Sequence, residues 1–283
     1  MMCSWREVDV MAEATNEPGA TRSSPDRAEI EARRVQAGAQ NAAIRAEFRH
    51  EHGIAYGSHP RQVIDLYLPT IAPAGPVLVF LHGGGFRLGD PSSVGHYGRP
   101  YLERGGIYVA MGYRLAPEAR YPLSCDDVEA GLLFLVDHVA AFGGDPTQIY
   151  LTGHSAGASL AASVGLRPSD QLPAELIAGL VLISGQYDFS AHSPETVDAT
   201  AARYVPNLLL RIEHVPDHTI VVAGERDFPA CLPGARAMTE AIRVAGGSVE
   251  MFVEPDADHF QAHRSFITPG GVVAEAATKM MAL

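Results

Sequence analysis

The sequence predicts an α/β fold: a mostly parallel central sheet covered by helices on both faces, with a small cap built from N-terminal and inserted segments. Three observations predict it. Apolar runs of strand length alternate with runs of helical spacing from about Gln62 to the C-terminus. The strand runs, such as GPVLVFL and IAGLVLI, are continuously apolar, as strands buried on both faces must be. Glycines stop most of them. A chain of 283 residues can bury a large core, and single α/β domains reach this size, so residues 26–283 are read as one domain.

The elements follow in order. Residues 1–25 are polar and rich in Ala, Ser, Glu and Pro, which predicts a flexible arm. SPDRAEIEARRVQAGAQNAAIRAEF is rich in helix formers with an acidic residue near its start, and predicts one or two helices ahead of the main fold. QVIDLYLP alternates apolar and polar residues, ends in Pro, and reads as an early strand. GPVLVFLHGGG and GGIYVAMGY are buried strands. CDDVEAGLLFLVDHVAAFG has helical spacing and ends at Gly143 and Gly144. TQIYLTGHS is a strand and AGASLAASVGL a helix of small residues. IAGLVLISG, HTIVVAGERD and SVEMFVEP are further strands, with PGARAMTEAIRVAGG a helix between the last two. Residues 186–217 show no clear period and carry several Pro and His, which predicts an insertion over the sheet, a partial lid.

Composition excludes several classes. The net charge of -12 and the absence of a basic stripe argue against a nucleic-acid partner. No apolar run is long enough to cross a membrane, and the N-terminus lacks the apolar core of a signal peptide. The three cysteines, Cys3, Cys125 and Cys231, have no metal-binding spacing and read as free thiols in a reducing compartment, so a cytoplasmic location is expected.

Two glycine-rich stretches carry the chemistry. In YLTGHSAGASL, Ser155 lies between a predicted buried strand and a predicted helix, with Gly153 and Gly157 two places away on either side. A sharp strand-to-helix turn would expose the hydroxyl and crowd its neighbours, so small residues are needed at those places. The helix would also aim free N–H groups at the site. A glycine-rich turn without chemistry is the alternative, and the strand–helix context argues against it. The second stretch is FLHGGGF. Three consecutive glycines cost backbone entropy and offer no packing, unless backbone amides must approach a ligand atom. A developing oxyanion is such an atom. Gly84 and Gly85, with Gly83 beside them, are the candidate donors, and the Ala156 N–H completes the hole. A phosphate loop is disfavoured because neither G-K-[ST] nor a helix-opening G-x-G-x-x-G is present.

HGGGF, then YRLAPEARYP at residues 113–122, then GHSAG resemble the hormone-sensitive-lipase-like branch of the α/β-hydrolases. The resemblance runs from about Gln62 to the C-terminus. RQVIDLYLP and GLVLISGQYDFS also resemble the kynurenine formamidase relatives in that superfamily. It implies a serine hydrolase whose acid and histidine follow the serine in that order. DHF after the last strand resembles the family's histidine motif and marks His259; GERD matches the family's G-x-x-D pattern and marks Asp227. Asp188, Asp256 and Asp258 are rival acids. His263 follows His259 at i+4, but no third ligand stands at sensible spacing, so no metal is expected; nor is any cofactor. His96 and Tyr97, with His154, are candidate pocket-lining residues. The alternative for the first two is a solvated loop. For His154, as for His82, it is orientation of the local backbone. Arg114 and Glu118, with Asp126 and Asp127, are read as structural, a strand-end ion pair and a helix start.

The expected activity is hydrolysis of short acyl esters by Ser155, His259 and Asp227 through an acyl-enzyme. An arylformamidase, or an enzyme for another small amide, carbamate or lactone, is the runner-up. A non-catalytic ligand-binding protein on the same fold is the rival of another class. The expected partner is a small-molecule ester or amide, and the resemblance also implies a homodimer.

Overall fold

In the computed structural model, residues 27–71 and 75–283 are described. The arm expected over residues 1–25 lies outside them. Helix α1 (Arg27–Glu47) is one continuous helix. Its Asn41 side chain donates to the Ser93 carbonyl and accepts from the His96 N–H, and Ile44 is fully buried, so the helix is pinned beside the sheet.

The eight strands are β1 (Arg49–Ala55), β2 (Val63–Leu68), β3 (Gly75–Leu81), β4 (Ile107–Met111), β5 (Gly144–His154), β6 (Ile177–Ile183), β7 (His218–Arg226) and β8 (Val249–Asp258). Their order is β1-β2-β4-β3-β5-β6-β7-β8. The β1–β2 and β2–β4 ladders are antiparallel and the rest parallel. The expected α/β sheet is therefore present, with an antiparallel edge. Strand β1 was not foreseen: RHEHGIA is polar and mostly exposed, so a sheet edge rather than a core holds it.

Alternation along the strands divides the core. Val77, Val79 and Leu81 of β3 face one side, with α2 (Leu123–His138), α3 (Ala156–Gly165) and α4 (Cys231–Val244). Leu78 and Phe80 face the other, with α1 and α5 (Val272–Met280). Each buried Val or Leu contributes roughly 1.5–3 kcal/mol, so the strands, not the loops, hold the frame.

The strand order sets the site. The chain leaves β3, pairs β4 on one side of it, then returns across to pair β5 on the other. At such a reversal the connections diverge and leave a crevice beyond the carboxyl ends of the strands. The glycine loop follows β3 and Ser155 follows β5, so both stand at that crevice. Residues 186–217 are irregular apart from a single turn at Leu208–Leu210. They are held by the bridges Tyr121↔Val197 and Asp188↔Asn207, and by Arg203, which pairs with Asp126 and Glu129 of α2 at 3.0 and 2.8 Å.

Candidate active site

Ser155 caps α3 at φ 56, ψ -122, a left-handed conformation that an L-residue adopts at a cost of about 1–3 kcal/mol. The surroundings hold it there: its N–H donates to the Ile183 carbonyl of β6 at 2.9 Å, and its carbonyl accepts from Ser159 at 3.1 Å. The flanking glycines are a steric necessity. A Cβ on Gly153 would stand 2.3 Å from the Gly157 carbonyl carbon, and one on Gly157 only 2.1 Å from the Leu81 carbonyl oxygen. The turn closes because neither residue has a side chain.

The adjacent strand ends bring an imidazole and a carboxylate to this hydroxyl. His259 follows β8, and its Nε2 lies 2.9 Å from Ser155 Oγ; its Nδ1 lies 2.7 Å from Asp227 Oδ1, just past β7. Asp227 also accepts from the Phe228 N–H at 2.8 Å and the Gly224 N–H at 2.9 Å, and from the Ser184 hydroxyl. Burial alone would raise this carboxyl, but the bond from His259, the attraction of its ring and the bonds from Ser184 and Gly224 hold it far below the usual range. A carboxylate surrounded by donors makes Nδ1 the protonated nitrogen and leaves Nε2 as the acceptor for the serine proton. Phe228 stacks on the imidazole at 4.0 Å between centroids. Behind it, the fully buried Cys231 Sγ lies 3.8 Å from His259 Nδ1. Burial, then the charge of Asp227, pushes this thiol up, so it is neutral at ordinary pH.

The glycine loop lies against the serine. A Cβ on Gly83 would stand 3.2 Å from Ser155 Cβ and 3.0 Å from the His154 carbonyl. Gly84 and Gly85 have φ of 125° and 58°, and a Cβ on Gly84 would meet the Leu88 carbonyl at 2.2 Å. His82 shapes the loop from below. Its Nδ1 lies 2.8 Å from the Gly83 carbonyl, its ring stacks on Tyr113, and the Tyr113 hydroxyl donates to its carbonyl. Burial brings the His82 imidazole down to about 4, so it is neutral.

His154 is buried, and its Nε2 lies 2.9 Å from the His259 carbonyl, an orienting contact on the next residue in the site. His96 is buried and Tyr97 half-buried, so neither is a solvated loop residue. The Tyr97 hydroxyl lies 3.0 Å from His263 Nε2, with the rings stacked, and His263 meets His154 edge-on. His263 therefore faces Tyr97 and His154. Of the rival acids, Asp188 holds Ser190 and Asn207, and Asp258 pairs with Arg33 of α1 at 2.9 Å. The structural ion pairs are redistributed: Arg114 binds the buried Asp127, Glu118 meets His59, and Asp126 meets Arg203.

Ser184, Phe228 and Cys231 were not foreseen. Ser184 has φ 53 at the end of β6 and reaches Asp227 only because β6 and β7 are neighbours. No local pattern marks it. Phe228 follows Asp227 directly and could have been noticed for that reason alone.

Comparison with known proteins agrees with this architecture. Residues 78–211 match a family model described as alpha/beta hydrolase fold. The chain is 28% identical over 236 residues to the carboxylesterase NlhH of Mycobacterium tuberculosis, covering 73% of this chain and 72% of that one. It is 27% identical over 241 residues to the kynurenine formamidase of Danio rerio, covering 81% and 80%. A crystal structure of LAE6, an alpha/beta hydrolase enzyme from the metagenome of Lake Arreo, superposes with a TM-score of 0.68 at 25% identity, covering 98% of this chain and 96% of that one. Against a matched isoprenylcysteine methylesterase described as probable, from Oryza sativa, the chain spans only about a quarter of the relative's length, 26%. The chain has the α/β-hydrolase fold. Among its relatives are a carboxylesterase and a formamidase.

Proposed function

We propose that the chain is a serine carboxylesterase acting on short-chain acyl esters, with Ser155 as nucleophile, His259 as general base and Asp227 as its orienting acid. The observation that carries this reading is the continuous relay from Ser155 Oγ to His259 at 2.9 Å and on to Asp227 at 2.7 Å. His259 Nε2 takes the serine proton as Oγ attacks the ester carbonyl. Negative charge then develops on the carbonyl oxygen. The amides of Gly84, Gly85 and Ala156, with Gly83 beside them, receive it; each such donor contributes about 3–4 kcal/mol to the transition state. The imidazolium, stabilised by the Asp227 carboxylate, protonates the leaving alcohol, and water releases the acid by the same route in reverse. No step calls on a metal or an organic cofactor. Residues 186–217 act as a partial lid, tied to the glycine loop by the Arg87–Glu195 pair and by Phe189 against Phe86.

A formamidase uses the same machinery on an N-formyl aryl amide. The similarity to a kynurenine formamidase over four fifths of both chains favours keeping it as the second reading. A purely ligand-binding role has little support, because all three side chains of the relay are present and in contact. Turnover of p-nitrophenyl acetate and butyrate is compared with that of N-formylkynurenine, in wild type and in Ser155→Ala. Faster ester turnover, abolished in the variant, supports the esterase. A kcat/KM for N-formylkynurenine more than tenfold above both esters moves the assignment to the formamidase.

A further inference from the structure

We infer that Cys231, His259 and Asp227 form a latent zinc site whose occupation switches the serine off. The inhibitory part rests on the proposed role of His259 as base; the binding part does not. Among the described residues, these three form a group in which one donor atom from each lies within 4.8 Å of the others. The donors are a thiol, an imidazole nitrogen and a carboxylate, the mixed set that suits Zn²⁺ rather than Mg²⁺ or Ca²⁺. Two of the three side chains belong to the relay. Cys231 does not, and nothing in ester hydrolysis requires a thiol 3.8 Å from His259 Nδ1.

The geometry is close to what the metal needs. In a tetrahedral zinc site with bonds of about 2.0–2.3 Å, neighbouring donor atoms stand roughly 3.4–3.6 Å apart. The Sγ–Nδ1 pair, at 3.8 Å, is already near that spacing. The Nδ1–Oδ1 pair, at 2.7 Å, must open by about 0.7 Å, and the metal replaces the proton that now joins them. The charges also close. Thiolate and carboxylate together neutralise the dication, which matters where Cys231 is fully buried and His259 only 4% exposed. Binding releases one proton, from the thiol. The imidazole keeps its own, which moves from Nδ1 to Nε2 through solvent as the metal takes the Nδ1 lone pair.

That shift disables the base. With Nε2 protonated, the nitrogen facing Ser155 Oγ is a donor and cannot accept the serine proton. Zinc therefore inhibits without touching the serine or the glycine loop.

The test uses the whole enzyme freed of metal by chelation, with Co²⁺ as a spectroscopic stand-in and Zn²⁺ as the inhibitor. Wild type, Ser155→Ala and Cys231→Ser are titrated with Co²⁺. The expected result is a thiolate-to-cobalt charge-transfer band in wild type and Ser155→Ala, absent in Cys231→Ser and displaced by Zn²⁺. In parallel, Zn²⁺ inhibits p-nitrophenyl acetate turnover by wild type, and the concentration for half-inhibition rises at least tenfold in Cys231→Ser. Lack of the band in wild type overturns the site, whatever the esterase does. A band together with undiminished turnover at saturating Zn²⁺ overturns the inhibitory part. Equal inhibition of wild type and Cys231→Ser overturns it too. If no ester or formamide is turned over at all, the function proposed above fails while the cobalt titration still decides the site.

Discussion

Gly157→Ala puts the nucleophile turn under direct steric load. The added methyl would lie 2.1 Å from the Leu81 carbonyl oxygen and 2.7 Å from that of His82, both backbone atoms at the end of β3. Ordinary contact begins near 3.4 Å, so α3 and the β3 end must separate by about 1.3 Å. No flexible side chain can yield in their place. Ser155 stands two residues before Gly157, and the glycine loop follows His82, so the separation falls between the proposed nucleophile and the amides proposed for the oxyanion. A misplacement of about 1 Å costs on the order of 100-fold in rate, and overpacking costs about 1–3 kcal/mol in stability. The expected result is a fall in kcat for p-nitrophenyl acetate of about 100-fold or more, with a lower Tm. Gly38→Ala is the control, since a Cβ there meets nothing within 4 Å. It should keep its activity, with Tm unchanged or raised, since Ala favours a helix interior over Gly by about 1 kcal/mol. If Gly157→Ala retains kcat within threefold of wild type, the turn is not the constraint described here.

Three further outcomes are expected. Asp227→Asn removes the charge proposed to stabilise the imidazolium and places an amide NH₂ among the donors of Phe228, Gly224 and His259; kcat should fall by about 10³–10⁴-fold, and a loss under tenfold contradicts the role proposed for the carboxylate. Asp127→Ala leaves Arg114 and Gln62 without their buried partner, Asp127 having a side chain only 1% exposed while Arg114 is 32% exposed and can turn to water; denaturant unfolding should show a loss of about 1–3 kcal/mol, and a change under about 0.5 kcal/mol refutes it. The buried imidazoles of His82 and His154 stand at about 4 against an unfolded value of 6.5, lowered first by burial. The unfolded chain therefore takes up their protons first, so stability is full above about 6.5 and declines as pH falls from there towards about 4. Each group can remove up to roughly 3 kcal/mol over that window. His154→Gln should flatten the slope of unfolding free energy against pH by about one proton, and an unchanged slope contradicts its burial as a neutral ring.

Most of the frame was legible because parallel strands buried on both faces must be apolar throughout, as GPVLVFL and IAGLVLI are, while QVIDLYLP was marked by its alternation. Strand β1 escaped because an edge strand needs neither apolar residues nor strict alternation. The place of β3 between β4 and β5 was not legible at all. Apolar runs say that a strand is buried, not which neighbour it pairs. In the site, Gly153 and Gly157 could be read from a steric requirement of the turn, and Asp227 and His259 were marked by family pattern. The contacts of Ser184 and Cys231 with the same carboxylate and ring arise from strands β6, β7 and β8 lying side by side, with α4 packed on the face of β7 and β8. That proximity is tertiary and leaves no trace in the local sequence. The imidazoles of His96, His154 and His263, the first two buried, likewise became a connected group only through folding.

The most direct measurement is mass spectrometry of the chain after reaction with a fluorophosphonate. One phosphonyl adduct is expected, on the peptide carrying Ser155, formed in wild type and strongly slowed in His259→Ala. An adduct on another residue, or labelling of Ser155→Ala at the wild-type rate, would contradict it.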